Sequence, residues 1–368
     1  MPVSNQKNIK RLFLISDLHF GIKSNNPEWL KIQTDYFYNF FIPFVKENKR
    51  EGDACFILGD IFDSRQSLNI LVMNSCIEIF RDLGQIFSDT GVFVITGNHD
   101  CWTKDSAQVH SLSCISALEN VYVYNSPETI KTENRNLLLM PWGMNSEEEK
   151  EFLESNSSDV LFVHTDIKDA RFNGKVTIEH GNNPETYRKH KKVYGGHIHY
   201  RQKVSNFITL IGCPYHMTRS DIGNKKGIYL LDLESFEEQF VENDYSPEYI
   251  TTNFDSLLEL SREHISAIFK NKFVDLKVTR KWLEELDIPG FVQSLNTQRS
   301  IEIVQIEEDE LLNFESDFEF DFENEASPKF DIISLSKELI KNLEYDEETK
   351  NKVENKITLL FDAIKEED

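Results

Sequence analysis

Along residues 1–235 a short apolar run rich in β-branched and aromatic side chains repeatedly ends in an abrupt polar cluster. Leu12-Phe13-Leu14-Ile15 runs into Ser16-Asp17-Leu18-His19, Cys55-Phe56-Ile57-Leu58 into Gly59-Asp60, and Val92-Phe93-Val94-Ile95 into Thr96-Gly97-Asn98-His99-Asp100. Further on, Val160-Leu161-Phe162-Val163 precedes His164, and Val193-Tyr194 precedes Gly195-Gly196-His197-Ile198-His199. Runs this short, with polarity at the far end, read as buried strands that deliver polar residues at their C-terminal ends. Helix-like stretches at about 28–49, 67–83 and 106–118 alternate with the early strands, and the runs at 207–211 and 227–233 add two more strands. Such alternation predicts an α/β domain whose ligands sit outside the carboxyl ends of the strands, so the five polar clusters are expected to meet at one edge.

The pattern changes after residue 236. A helix at about 253–269, a strand at 273–279, a helix from 281 onward and a strand at 301–306 predict a small second α/β domain. Charge separates the rest: residues 301–368 hold 22 acidic and 7 basic side chains, net −15, out of −23 for the 368-residue chain, leaving −8 for residues 1–300. Between Glu302 and Glu325 stand 11 carboxylates and no Lys or Arg, a solvated linker by like-charge repulsion. Beyond Pro328, Ile332, Leu335, Leu339 and Leu343, then Val353, Ile357, Leu360 and Ile364, recur at helical spacing. These are two amphipathic helices, either folded back on the body or docked on a partner. The expected organisation is therefore 1–235, 236–306, an acidic linker at 307–330 and a helical segment at 331–366.

With 39% apolar residues the chain can build a core, and its net charge excludes a generally basic nucleic-acid coat. Five cysteines without C-x-x-C spacing fit neither a disulfide framework nor a zinc ribbon, which suggests a reducing cytoplasm. No window approaches a membrane span or a signal-peptide core, so no membrane partner is expected.

The polar strand ends carry the chemistry. In an extended chain residues i and i+2 point the same way, so Asp17 with His19, and His197 with His199, each present two donors to one place. Imidazole and carboxylate together suit first-row divalent ions. Asp17, His19, Asp60, Asn98, His164, His197 and His199 exceed what one tetrahedral ion takes, implying two. Taken singly, each has an ordinary reading: Asp17 as a cap, Gly59-Asp60 as a turn, His164 as a core histidine. Their joint order at successive strand ends does not.

The series Asp17-x-His19, Gly59-Asp60-x-x-Asp63, Gly97-Asn98-His99-Asp100, His164 and Gly196-His197-x-His199 resembles the signature of the calcineurin-like metallophosphoesterases. The resemblance implies a two-sheet sandwich flanked by helices. It assigns Asp17, His19, Asp60 and His199 to one metal and Asp60, Asn98, His164 and His197 to the other, with a metal-bound hydroxide attacking phosphorus. It places His99 beside the scissile phosphate, off the metals, and its phosphatase members suggest that Asp63 orients His99.

Within that superfamily Asp17-Leu18-His19-Phe20-Gly21, the stretch from Ile211-Gly212-Cys213-Pro214 to Gly227-Ile228-Tyr229, and the order of core, small domain and terminal helices resemble the SbcD-like recombination nucleases. Gly59-Asp60-Ile61-Phe62-Asp63-x-Arg65 and Pro141-Trp142 suit the form found in T-even-type bacteriophages. The likeness implies a manganese-dependent double-strand exonuclease and single-strand endonuclease of recombination and repair. It further implies a DNA-capping domain, a homodimer and an SMC-like ATPase bound through the terminal helices, in the host cytoplasm if the source is a phage. Mg(II) or another first-row ion remains open. So do a calcineurin-like protein phosphatase, a small phosphodiesterase and a non-enzymatic metal-binding scaffold as alternative functions.

DNA phosphates call for cations, and Arg188, Lys189, Lys191 and Lys192 are the first expectation because they precede the strand that ends in His197 and His199. For the dimer, the helices after Asp63 and Asp100 are expected, with Ile70, Leu71, Met73, Ile77 and Phe80 as an apolar face or as ordinary core.

Overall fold

The computed structural model describes residues 8–307 apart from 259 and 296. Two six-stranded sheets form a sandwich. The first runs Glu238–Glu242, Gly227–Asp232, Arg11–Ile15, Asp53–Ile57, Val92–Ile95, Val121–Tyr124. The second runs Gln202–Lys203, Ile208–Leu210, His190–Gly196, Ser158–His164, Asn136–Met140, Glu128–Lys131. The central strands of both are parallel, so their C-terminal ends lie together.

Strand periodicity sets the layers. Leu12, Leu14, Phe56 and Phe93 pack between the sheets against Leu139, Val160 and Phe162. Phe13, Ile15, Cys55, Ile57 and Val94, one residue out of phase, face helices on the outer side. One helical run spans Pro27–Tyr36, a π turn at Phe37–Phe41 and Ile42–Asn48; Asn26 caps it by accepting the N–H groups of Glu28 and Trp29. The other, Ile70–Ile86, is capped by Asn69. The outer face of the second sheet buries Leu138, Met140, Leu161, Val163 and Val193 with Leu153 and Tyr187.

Three expectations change. Residues 106–118 are not a helix: Ser106–His110 pairs back on Cys101–Thr103 as a hairpin, followed by a short 3-10 turn at Ser111–Cys114. The expected second dimer helix after Asp100 is therefore absent from that segment. The first sheet also extends past residue 235, because Glu238–Glu242 pairs antiparallel with Gly227–Asp232. Finally, residues 253–269 form the end of a strand, Glu248–Asn253, and a shorter helix, Arg262–Ile268.

Glu248–Asn253, Lys272–Thr279 and Ile301–Ile306 make a parallel three-stranded sheet with its own core of Phe254, Ile265, Phe269, Leu276 and Ile288. Trp29, on the first helix of the sandwich, stacks on Phe273 at 5.6 Å between ring centroids, and Arg299 pairs with Glu28 at 2.6 Å. All but the first residue of the linker expected at 307–330, and the helices expected at 331–366, lie outside the described residues. No helix among the described residues is long and apolar enough to cross a membrane.

Candidate metal centre

At the shared strand ends the backbone leaves the sheets in an uncommon way. Asp17, His19, Asp60 and His197 all have left-handed φ values, 55°, 46°, 53° and 76°. For non-glycine residues each such conformation costs on the order of 1–3 kcal/mol and persists only where surrounding structure enforces it. The enforcement is visible: Asp17 N–H donates to Gly59 O, His19 N–H to Asp60 O and Phe20 N–H to Ile61 O, zipping the first two loops together. Gln33 Nε2 donates to the carbonyls of Leu18 and His19, both at 2.8 Å. Glycine is required where the loops touch, since a Cβ on Gly97 would lie 2.2 Å from Asp60 Oδ1 and one on Gly59 2.4 Å from His164 Nδ1.

All seven expected ligands come together. Asp17 and His164 are fully buried, Asp60 and His19 nearly so. Asp60 Oδ2 lies 3.6 Å from His19 Nε2 and 3.3 Å from His164 Nε2. His19 Nε2 is 2.9 Å from His199 Nε2, which is 3.9 Å from Asp17 Oδ1. On the other side Asn98 Oδ1 is 3.0 Å from His164 Nε2 and 2.7 Å from His197 Nδ1. Donor atoms of Asp17, His19 and His199, and of Asp60, His164 and His197, fall within 4.8 Å of one another in each set. His99 joins His19 and Asp60 in a third such set.

The donor set fits divalent cations. The outer ring nitrogens are occupied: His19 Nδ1 faces Asp63 Oδ1 at 3.2 Å, His164 Nδ1 donates to Leu58 O at 2.6 Å, and His197 Nε2 faces Asp166 Oδ1 at 3.1 Å. Inner nitrogens are thus left to converge as lone pairs, the arrangement by which partners orient metal-ligating histidines. Asp17 Oδ2 is buried without a hydrogen-bond partner among the described residues. Turned over, the Asn98 amide would aim its NH2 at Asp60 Oδ2 and its oxygen at Arg65, so that side chain is satisfied with or without an ion.

Electrostatics without a cation point the same way. Burial works to raise the Asp60 carboxyl, but His164, His19 and His99 outweigh it and hold it far below the usual range. Burial works to lower His164, and Asp60 overcomes it, pushing the imidazole up to about 9. Partial burial and the neighbouring His19 hold His199 below its usual value. The Asp60 carboxyl is thereby held ionised, and a cation would compete with protons for the imidazole donors.

Two further residues organise the centre. Asp100 is no ligand: Oδ1 accepts the N–H groups of Ile61 and Phe62, Oδ2 that of Gly97, and burial followed by Asp60 pushes its carboxyl up to about 7. Asp166, which sequence reasoning missed, stands two residues after His164, the same spacing that flagged the other pairs.

Asp63 does reach His99, but through its main chain: His99 Nδ1 donates to the Asp63 carbonyl at 2.6 Å, while the Asp63 carboxylate turns to His19. The Arg188 cluster is separated from the centre. It sits at the start of the His190–Gly196 strand, roughly 20 Å from the ligand end at about 3.3 Å per residue. Its cations are engaged, Arg188 by Glu185, Lys189 by the Glu154 carbonyl, Lys191 by Asp159 and Lys192 by Glu238.

A family model described as calcineurin-like phosphoesterase matches residues 10–218, a stretch that contains all seven candidate ligands and His99. The chain is 28% identical to exonuclease subunit 1 of Enterobacteria phage T4 over 240 residues, 63% of this chain and 68% of that protein. Among solved structures, a protein of unknown function from Aquifex aeolicus is 18% identical, with 49% of this chain and 93% of that one covered at a TM-score of 0.27, too low to bear on the fold. On the match that takes in ten of the twelve sandwich strands and all the converging strand ends, the chain belongs to the calcineurin-like phosphoesterase family.

Proposed function

We propose that this phosphoester hydrolase is a DNA nuclease that works with two divalent cations, best matched by Mn(II). One ion would be held by Asp17, His19, Asp60 and His199, the other by Asp60, Asn98, His164 and His197. The observation that carries the reading is the Asp60 carboxylate, whose single Oδ2 faces both donor sets. When bound, such ions supply Lewis-acid charge to a phosphoryl oxygen and a water that ionises near neutral pH.

The chain's own groups do the positioning. Asp60 Oδ1 accepts the His99 N–H at 2.8 Å, tying the shared carboxylate to the turn that carries His99. With Nδ1 committed to the Asp63 carbonyl, half-buried His99 keeps Nε2 for the substrate, where it stabilises charge on the phosphate or protonates the leaving oxygen. Asp63 and Asp166 hold the rings of His19 and His197.

Similarity to a phage protein named as an exonuclease subunit supports a nucleic-acid substrate and assembly with other subunits; the same reading puts the chain in the host cytoplasm. In this reading the small domain, which begins after Glu242 rather than at 236 and runs to 306, caps the DNA, the segment at 331–366 docks an SMC-like ATPase, and two copies pair through the Ile70–Ile86 helix. Ile70 and Leu71, 78% and 61% exposed on its first turn, support that pairing, whereas Phe80 belongs to the core.

The test is Mn(II)-dependent digestion of end-labelled double- and single-stranded DNA, with and without the partner ATPase, beside a phosphopeptide, using Asp60→Ala as the inactive control. Degradation of DNA alone is expected. Dephosphorylation of the peptide alone would move the chain to the phosphatases, and no metal-dependent cleavage of either would leave a small phosphodiesterase or a scaffold.

A further inference from the structure

His199 is held differently from the other ligand histidines. Its side chain is 35% exposed, against 18% for His197, 3% for His19 and 0% for His164. Among the described residues no hydrogen bond reaches its outer Nδ1. Its main-chain carbonyl, in contrast, accepts from Lys226 Nζ at 2.7 Å and from Cys213 N–H at 3.3 Å, with Cys213 Sγ at 3.6 Å. Gly212, at φ 69°, lies against the same oxygen, and a Cβ there would be 2.7 Å from it.

Lys226 is itself unusual, an ammonium on a residue only 3% exposed. Burying such a charge is costly unless it is paired and its donors are satisfied. Asp221, equally buried, pairs with it at 2.6 Å. The other Asp221 oxygen accepts the N–H groups of Met217 and Thr218, both at 2.9 Å. Asn224 then holds both main-chain groups of Arg201, donating to its carbonyl and accepting its N–H. Charge balance alone needs only Asp221. The second bond, to the carbonyl of the least enclosed ligand, is what that balance leaves unexplained.

We propose that Lys226, anchored by Asp221, is a positioning residue: it fixes the main chain of His199 and thereby aims the ring at Asp17 and His19. This rests on the two-ion reading above. It gives a role to the stretch from Gly212 to Gly227, which borders the centre without supplying a ligand.

The test is Mn(II) titration of the chelator-stripped full chain, with free ion read by electron paramagnetic resonance and folding by circular dichroism. The principal variant combines Lys226→Met with Asp221→Asn, so that no unpaired carboxylate is buried and the amide oxygen still accepts the 217 and 218 N–H groups. Wild type should bind two ions. In the double variant one of them should weaken by about tenfold or more while the other is unchanged, the scale of outer-partner loss at metal sites. Lys226→Arg, which keeps a cationic donor, should recover most of the loss. Both ions at wild-type affinity, or both weakened equally, in a folded double variant would overturn the proposal. If that variant does not fold, Lys226→Gln, which is too short to span Asp221 and the carbonyl together, decides by the same criterion. Fewer than two ions on the wild type would instead bring down the two-ion reading.

Discussion

Replacing Asp63 with Asn separates two ways in which this residue can act. The substitution keeps the shape and leaves the main-chain carbonyl that accepts from His99 untouched, while removing the negative charge 3.2 Å from His19 Nδ1. Loss of such an outer partner lowers metal affinity about 10–100-fold. The Asp63 side chain is 32% exposed, so solvent screening sets the expectation at the low end, about tenfold or ~1.4 kcal/mol. The assay is DNA hydrolysis as a function of Mn(II): the half-saturating concentration should rise about tenfold and the plateau rate should stay within about twofold. If the plateau fell by about 100-fold with the Mn(II) dependence unchanged, the carboxylate would be acting on the chemical step and the reasoning would be wrong.

Other outcomes are equally definite. His99→Ala should retain both ions by titration and lose about 10²–10⁴ in kcat, whereas near wild-type turnover would remove His99 from the chemistry. Glu149 is 6% exposed, and burial, opposed by Thr165 and Asn182 hydrogen bonds and aided by Asp166, pushes its carboxyl from 4.5 up to about 7. A raised folded value means stability present below 4.5 is lost as pH rises through about 7. Glu149→Gln should therefore gain on wild type by up to about 3 kcal/mol across that window in urea unfolding, and a pH-independent difference would contradict the assignment. Alanine at Arg188, Lys189, Lys191 and Lys192 should leave the salt dependence of DNA binding unchanged, since these cations lie at the far end of their strand; a shallower slope would put them on the DNA.

The strands that deliver candidate ligands, Arg11–Ile15, Asp53–Ile57, Val92–Ile95, Ser158–His164 and His190–Gly196, were legible because parallel strands buried on two faces must be apolar until they emerge and end in polar residues, whereas Val121–Tyr124 and Asn136–Met140, which end in no ligand, were not singled out. Less legible were elements without that signature. Glu128–Lys131 is an exposed edge with a single buried residue, and 101–110 forms a hairpin whose Trp102 and Val109 are exposed, so neither shows a clean apolar run. Asp63 meets His99 by a route that a residue pattern does not carry. A residue letter reports a side chain, and here the contact to His99 is made by a carbonyl that any residue would carry. The Arg188 cluster shows the converse: sequence adjacency to a strand that ends in ligands still leaves a whole strand length between them.

Asp17, His19, Asp60 and Asn98 come from the first sheet, and His164, His197 and His199 from the second. Each proposed donor set therefore straddles the sandwich, and an ion held there would act as a rivet against one sheet sliding over the other. Ion concentration would then be a stability variable for the whole double layer, not for its rim alone. The coupling also runs backwards. A packing change deep in the middle layer, where Phe56 and Phe162 meet at 4.8 Å between ring centroids, would alter the gauge of the centre without touching any ligand.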